Sequence, residues 1–118
     1  MFSPAGIARL ISDLRARLPL VPDCEITLEA NPGTFEKDRF HAYKIAGVTR
    51  LSVGVQSFND RHLKAIGRVH DGAQALAAVQ EAAQAFDTFN IDLMYALPNQ
   101  SPQDLQHDVS TALALQPS

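Results

Sequence analysis

The stretch Arg50–Phe58, RLSVGVQSF, alternates cleanly: Leu51, Val53 and Val55 point one way, and Ser52, Gly54 and Gln56 point the other. A side-chain period of two marks a strand, here with one aliphatic face and one small or polar face. The polar face ends on a glutamine just before a turn. That ending suits a barrel strand, because ligands of such enzymes sit at the C-terminal ends of the strands. Working outward, the pattern returns twice. In Glu25–Glu29 (EITLE), Ile26 and Leu28 oppose Thr27 and Glu29; in Phe89–Met94 (FNIDLM), Ile91 and Leu93 oppose Asn90 and Asp92. Glu29, Gln56 and Asp92 are therefore expected on one face, near equivalent strand ends, as the candidate site.

Helices alternate with these strands. Ser3-Pro4 is a good N-cap followed by a proline suited to the first helical position. Ile7, Leu10, Ile11 and Leu14 then form an apolar stripe at helical spacing, read as core packing. Pro19 and Pro22 bracket a connector, and Asn31-Pro32-Gly33 is a turn signal. Thr34 is expected to cap a second helix running to about Ala46, where Gly47 stops it. Asn59 or Asp60 caps a short helix through Ile66, Gly67–Asp71 forms a loop, and Asp71 caps a longer helix with Leu76, Val79, Ala83 and Phe86 inward. Leu97-Pro98 breaks the last strand. Ser101-Pro102 with Asp104 starts a final helix, with Leu105, Val109, Ala112 and Leu113 facing inward. The order predicts βαβ units and a parallel sheet, right-handed by default.

Bulk properties narrow the function. A chain of 118 residues suits one domain, 1–118, and falls short of the roughly 250 of a complete eight-fold barrel. The expected fold is α/β, a partial parallel (β/α) barrel of about three βα units with a leading helix, a slice of something larger. Net charge is -3, from 13 acidic and 10 basic residues, with no basic run, which argues against nucleic acid as a partner. One cysteine, Cys24, excludes an internal disulfide and a multi-cysteine metal site built from this chain alone. No stretch is apolar enough to span a membrane and no signal peptide is evident, so a cytoplasmic location is expected.

Two carboxylates and a carboxamide at one rim suit ribose hydroxyls or an ammonium. Arg68, in the loop after the short helix, suits a carboxylate. Together they describe a site for a zwitterionic, sugar-bearing ligand. The plainer alternative makes Glu29 and Asp92 helix caps, Gln56 a partner for loop amides, and Arg68 a solvated charge.

The motifs LEANPGT (Leu28–Thr34), GVQSF (Gly54–Phe58), GRVH (Gly67–His70) and NIDLMYALPNQS (Asn90–Ser101) resemble the oxygen-independent coproporphyrinogen III oxidase-like proteins. These are radical S-adenosylmethionine (SAM) proteins, and the resemblance runs from about Phe2 to Ser118. It implies SAM-binding roles for Glu29, Gln56, Arg68 and Asp92. Arg68 would pair with the methionyl carboxylate, Gln56 and Asp92 would hold ribose hydroxyls, and Glu29 would lie near the amino group or sulfonium. It implies no catalytic residue and no metal ligand in this chain. The family's C-x-x-x-C-x-x-C motif and glycine-rich loop are missing, so the [4Fe–4S] cluster is expected in the parent protein, and this polypeptide is expected to be catalytically silent. The resemblance divides between the oxidase, which decarboxylates propionates, and a heme chaperone; LEANP with GRVH favours the chaperone type. Heme or porphyrin would then be partners of the parent.

Ala96 stands where the family usually has glycine before Leu-Pro. His41, His62, His70 and His107 are read as solvated surface histidines rather than heme or metal ligands, and Tyr43 as a half-buried helix residue. Tyr95 lies near the site rim, open to packing or ligand contact. Cys24 is read as a free structural thiol. Unpaired sheet edges and uncovered apolar surface predict self-association of the chain. Two other functions remain open: an α/β barrel enzyme using Glu29 and Asp92 for acid–base work, and a non-catalytic interaction module.

Overall fold

The computed structural model describes residues 2–34 and 38–118. Three parallel strands, β1 (Thr27–Ala30), β2 (Arg50–Gln56) and β3 (Phe89–Leu93), form one sheet in the order β1-β2-β3, with β2 in the middle. The expected partial (β/α) arrangement is what the chain adopts. The outer strands differ slightly from the sequence pattern: β1 starts at Thr27 and runs on to Ala30, and β3 stops at Leu93. Thr49 and Arg50 donate to the Ile26 carbonyl at the sheet's N-terminal edge. In the register, Glu29 pairs with Ser52, Ser52 with Asn90, and Gln56 with Leu93 after an irregularity beyond Val53.

The helices are α1 (Pro4–Arg17), α2 (Arg39–Ala46), α3 (Asp60–Ala65), α4 (Gly72–Ala85) and α5 (Pro102–Ala114). Local chemistry starts most of them where expected. Ser3 caps α1, Asn59 caps α3, and capping boxes open α4 (Asp71 with Gln74) and α5 (Ser101 with Asp104). Helix α2 differs. Thr34 ends a 3-10 turn (Pro32–Thr34), residues 35–37 of the expected helix lie outside the described residues, and α2 begins at Arg39 after Asp38. Asp38 sits at φ 69° and makes no side-chain cap bond, so α2 starts without one. Gly47, at φ 116°, ends α2 as expected.

The core lies on the helix side of the sheet. Leu51, Val53 and Val55 are fully buried there, against Phe40 and Tyr43 of α2 and Ala75, Ala78, Val79 and Ala82 of α4. Each of the leucine, valine and phenylalanine side chains contributes about 1.5–3 kcal/mol on leaving water, and the alanines less. Tyr43 is fully rather than half buried, and its hydroxyl donates to the Phe2 carbonyl. The contact face of α4 is rotated from the expected stripe: alanines meet the sheet, and Leu76 and Ala83 are exposed. At the start of α4, Gly72 packs tightly on the turn after β2, since a Cβ there would fall 2.1 Å from the Phe58 carbonyl oxygen. Stripes on α1 and α5 are likewise only partly used. Ile7 is buried and Ile11 partly so, whereas Leu10 and Leu14 are exposed; on α5, Asp108 and Ala112 are buried while Val109 and Leu113 face solvent. No helix among the described residues is long and apolar enough to cross a membrane.

Two predictions follow from the turns and caps. Ala96 has φ 56°, in the left-handed region that disfavours side chains. Replacing Ala96→Gly relieves that strain, less the extra entropy of the unfolded glycine. The variant should gain about 0.5–1 kcal/mol in urea unfolding, a Tm rise of roughly 2–5 °C. In α5, the Ser101 amide and hydroxyl, and secondarily His62, hold the Asp104 carboxyl below its ordinary value of 3.8. A depressed folded-state pKa stabilises above the unfolded value and is lost as pH falls through the folded one. Unfolding measured from pH 6 to 2 should therefore show a steeper acid loss for the parent than for Asp104→Asn.

Candidate functional site

The inner face of the sheet, opposite the core, carries the polar half of each alternating strand. There Glu29, Ala30, Asn31, Ser52, Gly54, Gln56, Arg68 and Asp92 line one cavity of about 300 Å³, open to solvent. That volume sits at the low end of ligand pockets, roughly 300–1,000 Å³. The structure thus brings together all four residues singled out from the sequence. Glu29, Gln56 and Asp92 each stand at the last or last-but-one position of their strands, as expected, although the strands themselves are staggered. Glu29 pairs with Ser52, four residues before Gln56, which is roughly 13 Å of strand. Gly54 lies between them with no side chain to fill the gap.

Asp92 is held from below by a ladder of polar side chains. Ser52 Oγ donates to Asp92 Oδ2 at 3.0 Å, and Asn90 Nδ2 donates to Asp92 Oδ1 at 3.1 Å and to Ser52 Oγ at 2.7 Å. Arg50 Nε completes the ladder by donating to Asn90 Oδ1 at 3.3 Å. Both carboxylate oxygens are thereby oriented, with remaining lone pairs free to accept from a ligand hydroxyl. Ser52, Asn90 and Arg50 were on the polar face of the sequence pattern but not in the expected site. Their period-two placement was the signal that could have found them.

Gln56 ends β2 in the left-handed region, at φ 70°. This turn folds its amide back over Gly54: a Cβ on Gly54 would lie 3.3 Å from Gln56 Nε2. The following turn is fastened from α5, where buried Asp108 accepts from Ser57 Oγ at 2.6 Å and from the Phe58 amide at 2.9 Å. Arg68 arrives from the loop between α3 and α4, its amide bonded to the Leu63 carbonyl at 3.0 Å. The cavity therefore presents two carboxylates, two carboxamides (Gln56 and Asn31) and one guanidinium. This donor and acceptor set matches a ligand with hydroxyls, an ammonium and a carboxylate, which is the composition of SAM.

The histidines divide. His41 and His107 are exposed as expected, whereas His62 and His70 are buried and so are not solvated surface groups. Each spends its Nε2 on an acceptor: His62 on Asp104 Oδ2 at 3.3 Å, His70 on the Val55 carbonyl at 3.0 Å. Sequence reasoning missed both, along with Asp108, because a polar residue inside an apolar face leaves no mark in a periodicity count. Tyr95 is 77% exposed, so packing does not claim it, and it is not among the residues that line the cavity. Cys24 is a free thiol with Arg15 Nη2 3.9 Å from its sulfur. It precedes β1, at the sheet end opposite the cavity. Among the described residues no group of three or more His, Cys, Asp or Glu could hold a metal ion. The donors present fit SAM, and they do not fit an iron–sulfur cluster, which needs several thiolates.

Comparison with known proteins gives the same lineage. The family described as the Radical SAM superfamily matches residues 4–112. The heme chaperone HemW of Escherichia coli is 46% identical over 118 residues, covering 99% of this chain and 31% of that protein. The heme chaperone HemW of Haemophilus influenzae is 43% identical, with the same 99% and 31% coverage. Among solved structures, the E. coli coproporphyrinogen III oxidase HemN, described as a radical SAM enzyme, superposes with a TM-score of 0.86 at 32% identity. The superposition covers 98% of this chain and 27% of that one. The chain thus spans under a third of the length of these relatives. Proteins of this kind use SAM together with a [4Fe–4S] cluster. The chain belongs to the radical SAM superfamily, in its coproporphyrinogen III oxidase-like branch.

Proposed function

We propose that the cavity binds SAM as part of a heme-chaperone-type radical SAM protein. The observation that carries this reading is the convergence of Glu29, Gln56, Arg68 and Asp92, far apart in sequence, on one cavity. Arg68 pairs with the methionyl carboxylate, Gln56 and the ladder-held Asp92 accept or donate at the ribose hydroxyls, and Glu29 lies near the amino group or sulfonium. SAM beside a reduced cluster supplies radical chemistry in this family. This chain's residues contribute the hold on the nucleoside; the cluster ligands belong to the rest of the protein. Residues 1–118 are the central to C-terminal part of the radical SAM barrel, in a cytoplasmic protein. The names of the two 43–46% identical relatives support the chaperone type, with heme as the partner of the full-length protein, over the oxidase, whose solved structure is 32% identical.

Titration of SAM into the full-length, anaerobically reconstituted protein tests the assignment. Gln56→Ala and Asp92→Ala should each weaken binding about 10-fold or more, the worth of a hydrogen bond with charged character. Affinities unchanged within about twofold would remove the proposal.

We also infer that the 118-residue chain, taken alone, self-associates. Among the described residues, outer strands β1 and β3 pair with no further strand, and Leu10, Ile45, Val109 and Leu113 are exposed. Light scattering should give a mass above the 12.8 kDa monomer that rises with concentration. A single monomeric species at high concentration contradicts this.

A further inference from the structure

We propose that His70 is a positioning residue for the cavity: its bond to the Val55 carbonyl locks the Arg68 loop to the end of β2. It thereby aims Gln56 and Arg68 at one ligand. The inference rests on the SAM reading of the cavity and deepens it by naming what sets the geometry.

The end of β2 is where regular pairing fails. The β2–β3 register slips between Val53 and Gln56, and Gln56 takes φ 70°. A non-glycine residue in that region costs of order 1–3 kcal/mol and persists only where its surroundings over-determine it. Two donors meet the carbonyl just before it: the Ser57 amide at 2.9 Å and His70 Nε2 at 3.0 Å. A carbonyl can only accept, so Nε2 carries the ring proton. His70 is 2% exposed, and its Nδ1 is buried with no partner among the described residues. Burying an unpaired ring nitrogen is unfavourable. The ring's bond to Val55 is what offsets that cost.

The same ring fixes Arg68, two residues earlier in the chain. The intervening Val69 is 86% exposed, so His70 is the inward anchor of this loop. Asp108 fastens Ser57 and Phe58 from α5 but does not reach the Arg68 loop. Among the described residues, the hydrogen bond that ties the two cavity-lining segments to each other is the one from His70.

The test is equilibrium SAM titration by calorimetry of the full-length, anaerobically reconstituted protein, with a thermal melt of every variant. His70→Phe keeps the bulk and removes the donor, and should weaken binding about tenfold. His70→Gln, whose amide can donate to Val55, should recover affinity to within about threefold of the parent. In a Gln56→Ala background the His70→Phe loss should shrink to about threefold or less, the remainder being the part that runs through Arg68. A merely structural histidine would lower the melting temperature yet leave SAM affinity within about twofold, and that result overturns the inference. So does an undiminished tenfold loss in the Gln56→Ala background. Should His70→Phe not fold, His70→Met, flexible and lacking a donor, is read by the same criteria. Asp92→Ala is the control. If it weakens SAM binding and His70→Phe does not, the His70 inference alone fails; if Asp92→Ala has no effect, the SAM reading falls and takes the inference with it.

Discussion

Everything in this structure depends on the two-sidedness of β2. Its aliphatic side chains are buried without residue against α2 and α4, which fixes which way the strand faces. Because the side-chain period is two, a one-residue slip would put Leu51, Val53 and Val55 into the cavity and Ser52, Gly54 and Gln56 into the core. Hydrophobic burial on one face therefore sets the chemistry on the other. The neighbours are registered from this strand: Glu29 is beside Ser52, and Asn90 beside it on the far side. The polar ladder from Arg50 to Asp92 is a by-product of that register, and it orients a carboxylate without any loop having to do so.

The strand's last residue breaks the rule that builds the site. Gln56 leaves β geometry, and its amide turns over a glycine. Such a conformation is stable only when held, and the holding groups are buried polar side chains, His70 and Asp108, drawn from two different elements. A site made this way has its functional groups exposed to the ligand and its supports hidden. The supports are where stability and function meet, since each stands in a packed, water-poor setting where an unmade hydrogen bond is expensive.

This division explains what could be read from the sequence. Strand identity, parallel order, most helix caps and the four cavity residues were legible because each is a local signal: alternation, a serine before a proline, an aspartate before a helical run. The stagger of Glu29 relative to Gln56 was not, because register is a relation between strands. The α2 start was misread because a threonine after Pro-Gly looks like a cap, whereas the chain makes a 3-10 turn there first. The stripes on α1, α4 and α5 were drawn from the largest apolar residues, yet alanines make the closest contact on α4 and an aspartate is buried on α5. Residue type alone places His62 and His70 at the surface, and tertiary partners override that expectation.

The central claim is geometric: an acid, an amide, an arginine and a second acid gather over one end of a parallel sheet to hold a nucleoside-bearing amino acid. A crystal structure of the full-length protein with SAM bound tests it most directly. The account predicts ribose oxygens within about 3.2 Å of Gln56 and Asp92 side-chain atoms, and the methionyl carboxylate on Arg68. A nucleoside seated elsewhere, with the ladder from Arg50 to Asp92 facing only water, would contradict it.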